Sequence, residues 1–252
     1  LSLAAKRTLE ELLDADYKSI ASKVSVIYPA LKIETNLNTD HSYIKADSSA
    51  LNLLFVGNQA YLKGLEELLI AITRLKNNNL KLFIISNDAE SLLKKYPLNS
   101  VQLFQPNFNK EQITTKFFRP ADAFIMPTKE DTFGMAILDS LSCGTPVITT
   151  KQFALPELVT NGSDGLLLEI KRPLLDTVLI PSKKDMSDIN HSNIDELLVD
   201  QIAYLLEAIL SHKIRIEDFR NKGIAKFKNS HMFSTNTRNQ ALYRVYKNAL
   251  AQ

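Results

Sequence analysis

Two short stretches concentrate residues that could do chemistry on a charged, hydroxyl-rich ligand. The first, FVGNQAYLKG (55–64), places Lys63 at the mouth of a helix, beside N–H groups that a helix start leaves unpaired. A lysine in that setting is a natural partner for a phosphate. As a lone feature, a solvated surface lysine is the commoner reading. The second stretch, PTKEDTFGMAILDSLSCG (127–144), gathers Glu130, Asp131 and Asp139 around a Phe133-Gly134 turn that opens a helix. Gly134 would let backbone approach a ligand closely, and the amides of Met135 and Ala136 would be bare donors of the first turn. Carboxylates only accept hydrogen bonds, so they suit the hydroxyls of a sugar or ribose better than a phosphate. The plain alternative is an acidic charge complementing a helix dipole, plus one exposed helical aspartate.

These stretches need elements to position them, and the chain from 50 onward supplies an alternation. LNLLFVG (51–57), LKLFIIS (80–86), VQLF (101–104), ADAFIMP (121–127), PVITT (146–150) and GLLLEI (165–170) read as short buried strands. Between them lie helical stretches, among them KGLEELLIAITRLKNN, with Leu65, Leu68, Leu69, Ile72 and Leu75 on one stripe, and KEQITTKFF, ended by Pro120. Strands alternating with helices imply an α/β, Rossmann-like doubly wound parallel sheet of about six strands. In such sheets ligands bind beyond the carboxyl ends of the strands, where both chemical stretches fall.

The flanks read differently. LSLAAKRTLEELLDADYKSI is expected to be an amphipathic helix with Leu1, Ala5, Leu9, Leu12 and Leu13 on one face, followed by a strand in KVSVIYPAL and a loop to Ser49. Residues 171–193 lack any stripe and read as a long loop insertion. IDELLVDQIAYLLEAILS and two polar helices near 215–228 and 236–250 close the chain. The expected units are an interdomain helix, strand and linker (1–49), the main domain (50–235) and a C-terminal helix (236–252). Because the sequence opens on Leu1, it reads either as starting inside a larger protein or as a trimmed terminus.

Composition removes several function classes. With 30 Lys plus Arg against 28 Asp plus Glu, the formal net charge of +2 gives no broad footprint for nucleic acid or an anionic membrane. One cysteine, Cys143, excludes a disulfide framework and a cysteine-rich zinc site, and it fits a reducing compartment. No apolar run approaches the ~18 to 20 residues of a membrane span. A nicotinamide dehydrogenase fails because no GxGxxG follows the first strand.

Four blocks in order make a family visible: FVGNQAYLKGLEELLIA, ADAFIMPTKEDTFGMAILDSLSCGTPVITT, LPELVTNGSDGLLLE and the closing FSTNTRNQALYRVYKNAL. Together they resemble the nucleotide-sugar-binding, C-terminal half of group 1 glycosyltransferases (family 4, retaining, GT-B). The opening block resembles the junction between that family's two domains. The resemblance implies that Lys63 holds the donor diphosphate beside Gly57. Asn58 stands where the family usually has a phosphate-binding arginine. The family's two glutamates separated by seven residues correspond to Asp131 and Asp139, the first touching the donor sugar and the second the ribose, with Glu130 able to stand in for Asp131. Phe133, Gly134, Met135 and Ala136 form the turn and donors under the diphosphate. Phe153-Ala154 replaces a common glycine pair, and SND (86–88) a common glycine-rich turn.

The implied activity is retaining hexosyl transfer from a UDP-, GDP- or ADP-sugar to a glycan or lipid-linked acceptor, as in polysaccharide biosynthesis, with no cofactor and no metal. The catalytic residues it implies are Lys63, Asp131 and Asp139. The isolated domain is expected to be inactive, needing an N-terminal acceptor-binding domain or partner chain, and no nucleic acid. Its expected compartment is the cytoplasm, with any peripheral membrane contact made through the missing half. The competing reading is a non-catalytic nucleotide-sugar binding or scaffold protein, favoured by Asn58 and the two aspartates. His41, His191, His212 and His231 read as surface residues, Cys143 as a small buried residue, and Glu157 as a residue that holds a loop or caps the segment after it, a role in binding being the alternative.

Overall fold

In the computed structural model, residues 2–31, 42–44, 50–75, 79–171, 194–229 and 232–250 are described. The expected loop at 171–193 lies almost wholly outside them, as do His41, His191, His231 and Leu1.

The six apolar segments form one sheet of parallel strands: β1 (Leu51–Val56), β2 (Leu80–Ile85), β3 (Val101–Phe104), β4 (Ala123–Met126), β5 (Val147–Thr150) and β6 (Gly165–Leu168). Their order is β3-β2-β1-β4-β5-β6. Every residue of β4 and β5 is buried, which is why these strands read as unbroken apolar or threonine runs rather than alternating ones. The chain runs outward from β1 through β2 to β3, then returns to place β4 on the other side of β1. Strand order thus reverses between β1 and β4, the place in a doubly wound sheet where ligands are received.

The crossovers are α3 (Leu65–Arg74), α4 (Glu90–Lys95), α5 (Lys110–Ile113), α6 (Met135–Ser142) and α7 (Leu155–Leu158). KEQITTKFF, expected as one helix, is α5 followed by a π-helical turn over Thr114–Phe118. Asn109 and Gln112 form a reciprocal capping box that starts α5. After β6, α8 (Glu196–Leu210) packs on α3, α9 (Glu217–Asn229) packs on α6, and α10 (Thr235–Leu250) follows with no buried residue. The core is the sheet and its helices, with Phe55, Phe117 and Phe124 fully enclosed.

The amino-terminal stretch departs from expectation in two ways. Its helix is broken: α1 (Leu3–Leu13) stops at Asp14, whose φ of 41° leaves helical space, and a short α2 (Tyr17–Ile20) resumes beyond a 3₁₀ turn. No residue of α1 is buried, so its apolar face does not enter the core. KVSVIYPAL is not a strand; residues 24–31 have no ladder partner among the described residues. Instead Leu31 donates its N–H to the Phe233 carbonyl at 3.0 Å. Valine, isoleucine and tyrosine favour any half-buried extended surface, so their enrichment reported burial here rather than pairing.

Candidate functional site

The corner after β1 and the corner after β4 interlock through backbone. The N–H of Lys129 donates to the Leu62 carbonyl at 2.8 Å. Gly64 turns at φ +75°, and a Cβ on it would lie 2.0 Å from the Pro127 carbonyl oxygen. Only glycine fits there. The SND turn braces the first corner from the β2 side: the Asp88 carboxylate accepts from Ala60 N at 3.2 Å, and the Ser86 hydroxyl donates to Asp88 at 2.7 Å. Asn58 uses its Oδ1 to accept from Asn87 N at 3.2 Å, so the residue at the family's arginine position helps tie these two loops together.

Into this junction projects Lys63, with 18% of its side chain exposed. Its Nζ donates to the Glu130 carbonyl at 2.8 Å and to Asp131 Oδ2 at 2.9 Å. The other oxygen of Asp131 accepts from Phe133 N at 3.1 Å and Gly134 N at 2.7 Å. Asp131 therefore joins the cation to the mouth of α6. An ammonium has three donors, and two are engaged, leaving one for a ligand. Gly57 lies beneath the lysine stem: a Cβ there would meet Lys63 Cγ at 3.5 Å.

Gly134 starts α6 at φ +87° with no side-chain cap. The amides of Met135 and Ala136 have no hydrogen-bond partner among the described residues, and Met135 is exposed. These bare donors and the positive end of the helix dipole suit a diphosphate. The Phe133 ring is buried against Tyr28, with centroids 6.1 Å apart, so what it offers at the turn is its amide. Asp139 stands apart from the Lys63 cluster and pairs with Lys110 of α5 at 2.9 Å. The structure thus brings together Gly57, Lys63, Glu130, Asp131, Phe133 and Gly134. It places Asp139 one step along the helix and turns Asn58 toward Asn87.

Sequence reasoning overlooked Lys129 and Glu67. Lys129 Nζ lies 2.9 Å from Glu67 Oε1 and 3.6 Å from the Tyr61 ring centroid. Glu67 is wholly buried, and its Oε1 also accepts from Asp195 N at 3.4 Å, at the start of α8. This pair pins the loop carrying Glu130 and Asp131 against the helix that follows Lys63. A helical glutamate inside an apolar stripe was the only signal in the sequence. Lys110 was overlooked too, since nothing local links it to Asp139.

Glu157 caps α1, not the segment after it as expected, because its carboxylate accepts from Leu3 N and Ala4 N. Cys143 is half-buried, and burial pushes its thiol up to about 11. His212 is exposed at the end of α8. Among the described residues, no group of three or more His, Cys, Asp or Glu could hold a metal ion, and no helix is long and apolar enough to cross a membrane.

The sequence profile of Glycosyl transferases group 1 matches residues 39–173, more than half of the chain and both corners of the crevice. The chain belongs to the group 1 glycosyl transferases. Among curated relatives, this group 1 domain is 30% identical over 129 residues to a D-inositol 3-phosphate glycosyltransferase of Arthrobacter sp., covering 47% of this chain and 30% of that protein. It is 24% identical over 185 residues to an uncharacterized glycosyltransferase of Methanocaldococcus jannaschii, covering 68% and 47%. The chain spans less than half the length of these relatives.

Solved structures share the fold. WaaG, a glycosyltransferase involved in lipopolysaccharide biosynthesis, superposes with a TM-score of 0.65 at 16% identity, over 90% of this chain and 59% of that one. Anabaena Alr3699/HepE in complex with UDP-glucose gives a TM-score of 0.58 at 14% identity, over 81% and 50%. At such identities the likeness establishes architecture.

Proposed function

We propose that this group 1 domain binds a nucleotide diphosphate sugar in the crevice between β1 and β4 and donates the sugar, with retention, to a glycan or lipid-linked acceptor. An acceptor-binding domain or chain would supply the other wall. The observation that carries this reading is Lys63, held 2.9 Å from Asp131 at the mouth of a helix whose first amides are bare. The diphosphate would accept the third Lys63 donor and the Met135 and Ala136 amides. As the bond from sugar to phosphate breaks, negative charge gathers on that diphosphate, and preorganised donors there lower the barrier. Asp139 would receive the ribose hydroxyls, its carboxylate shared with Lys110. The complex of Anabaena Alr3699/HepE with UDP-glucose supports a UDP-sugar as the first donor to test.

Calorimetry with UDP, GDP and ADP and their hexose conjugates tests the binding step. Lys63→Ala should weaken the preferred diphosphate by roughly 1.5 to 3 kcal/mol, the worth of a hydrogen bond to a charged group. An unchanged dissociation constant removes Lys63 from the site. A second reading, nucleotide-sugar binding without transfer, is favoured by Asn58, whose side chain is committed to Asn87 and carries no charge. Turnover assays with an acceptor domain present separate the two.

A further inference from the structure

The segment before the sheet is fastened to α7 through one carboxylate. Ser2 begins α1 by accepting from Ala5 N at 3.0 Å, which leaves the Leu3 and Ala4 amides without a partner from the cap. Glu157 takes both: Leu3 N donates to Oε2 at 2.9 Å and Ala4 N to Oε1 at 2.7 Å. The same Oε2 accepts the Tyr28 hydroxyl at 2.6 Å. Tyr28 in turn lies against Phe133, 6.1 Å away, and edge-on to Phe233 at 5.8 Å.

Glu157 rides on α7, and α7 packs against the Phe133–Gly134 turn. A Cβ on Gly134 would meet Leu155 Cδ2 at 2.6 Å and Leu158 Cδ1 at 3.4 Å. The Phe133–Gly134 turn thus touches both the Tyr28 ring and the α7 leucines, and Glu157, carried on α7, accepts the Tyr28 hydroxyl. The next link is Asp131, which accepts the Phe133 and Gly134 amides and holds Lys63.

We infer that Glu157 is a positioning residue: by bonding α1 and Tyr28 together beside α7, it couples the seating of residues 2–31 to the geometry of the turn that receives the diphosphate. The ligand consequence rests on the reading given under Proposed function, while the coupling itself does not. Coupling between two sites is reciprocal. A nucleoside diphosphate that firms the turn should firm α1, and loosening α1 should weaken the nucleotide.

Hydrogen exchange read by mass spectrometry on the full chain, with UDP as the probe, tests this. Without ligand, Glu157→Gln should speed exchange severalfold in peptides covering residues 2–5 and 133–137, with β1 peptides and the unfolding midpoint nearly unchanged. With ligand, UDP should slow exchange at residues 2–5 in the wild type but not in Glu157→Gln, whose dissociation constant should rise about tenfold, within the usual range of coupling between two sites. Tyr28→Phe keeps the ring and both helix caps, so its effects should run in the same direction and be smaller. Should Glu157→Gln fail to fold, Tyr28→Phe carries the same readouts. Faster exchange confined to residues 2–5, with residues 133–137 unmoved, would make Glu157 a helix cap only and overturn the inference. If the wild type binds none of UDP, GDP and ADP, the functional reading fails, and the unliganded exchange still decides the coupling.

Discussion

The two strand-end corners and the two chain flanks are held by different means. Between residues 57 and 64 and residues 127 and 134, backbone docks on backbone, two glycines sit where no side chain fits, and Ala60, Thr128 and Phe133 are buried. In α1 and α10 no residue is buried, and α1 is held by one distant carboxylate, its buried Ser2 cap and the packing of Ala4 on the core. The first kind of region has little freedom and suits preorganised chemistry. The second can be displaced at small cost, which suits a surface that meets another body.

The largest test of that contrast is Gly64→Ala. A methyl 2.0 Å from the Pro127 carbonyl, at φ +75°, must force the corners apart. The expected cost is about 5 kcal/mol or outright failure to fold, read by circular dichroism and thermal melting. Next comes the buried staple. Lys129→Met alone should cost about 3 to 5 kcal/mol in denaturant unfolding, because the enclosed Glu67 is left unpaired. The double variant Lys129→Met with Glu67→Leu should recover most of that loss. If the double is as damaged as the single, the pair does more than neutralise itself.

On the flank, Tyr246→Ser should change stability by less than about 0.5 kcal/mol, since the ring is 65% exposed. A larger loss would mean that α10 is anchored more firmly than its burial shows. A further effect, confined to alkaline pH, is expected at Tyr28. Burial, then the Glu157 hydrogen bond, raises Tyr28 from 10.0 to about 12. The folded state thus favours the protonated phenol. The stability this contributes is complete below pH 10 and is lost as pH rises through 12. Tyr28→Phe should lack this alkaline component in melts across that window, while its behaviour from pH 6 to 9 stays flat.

The same contrast explains what could be read from the sequence. All six strands were legible because a parallel sheet buried on both faces writes itself as apolar runs. Lys63, Asp131 and Gly134 were legible because each lies where a strand ends or a helix begins. The Lys129–Glu67 staple, the Lys110–Asp139 pair and the Glu157 clamp were not, since each joins residues distant in sequence with no local signature. The strand expected in KVSVIYPAL failed for a related reason. Residue type there reported burial, and the partner that satisfies Leu31 is Phe233, not a neighbouring strand.

A diphosphate is proposed to lodge where the two corners meet. A crystal structure of this chain with UDP tests it directly. The expected result places phosphate oxygens about 3 Å from Lys63 Nζ and from the Met135 and Ala136 amides. A well-ordered UDP whose phosphates touch none of these three groups would contradict it.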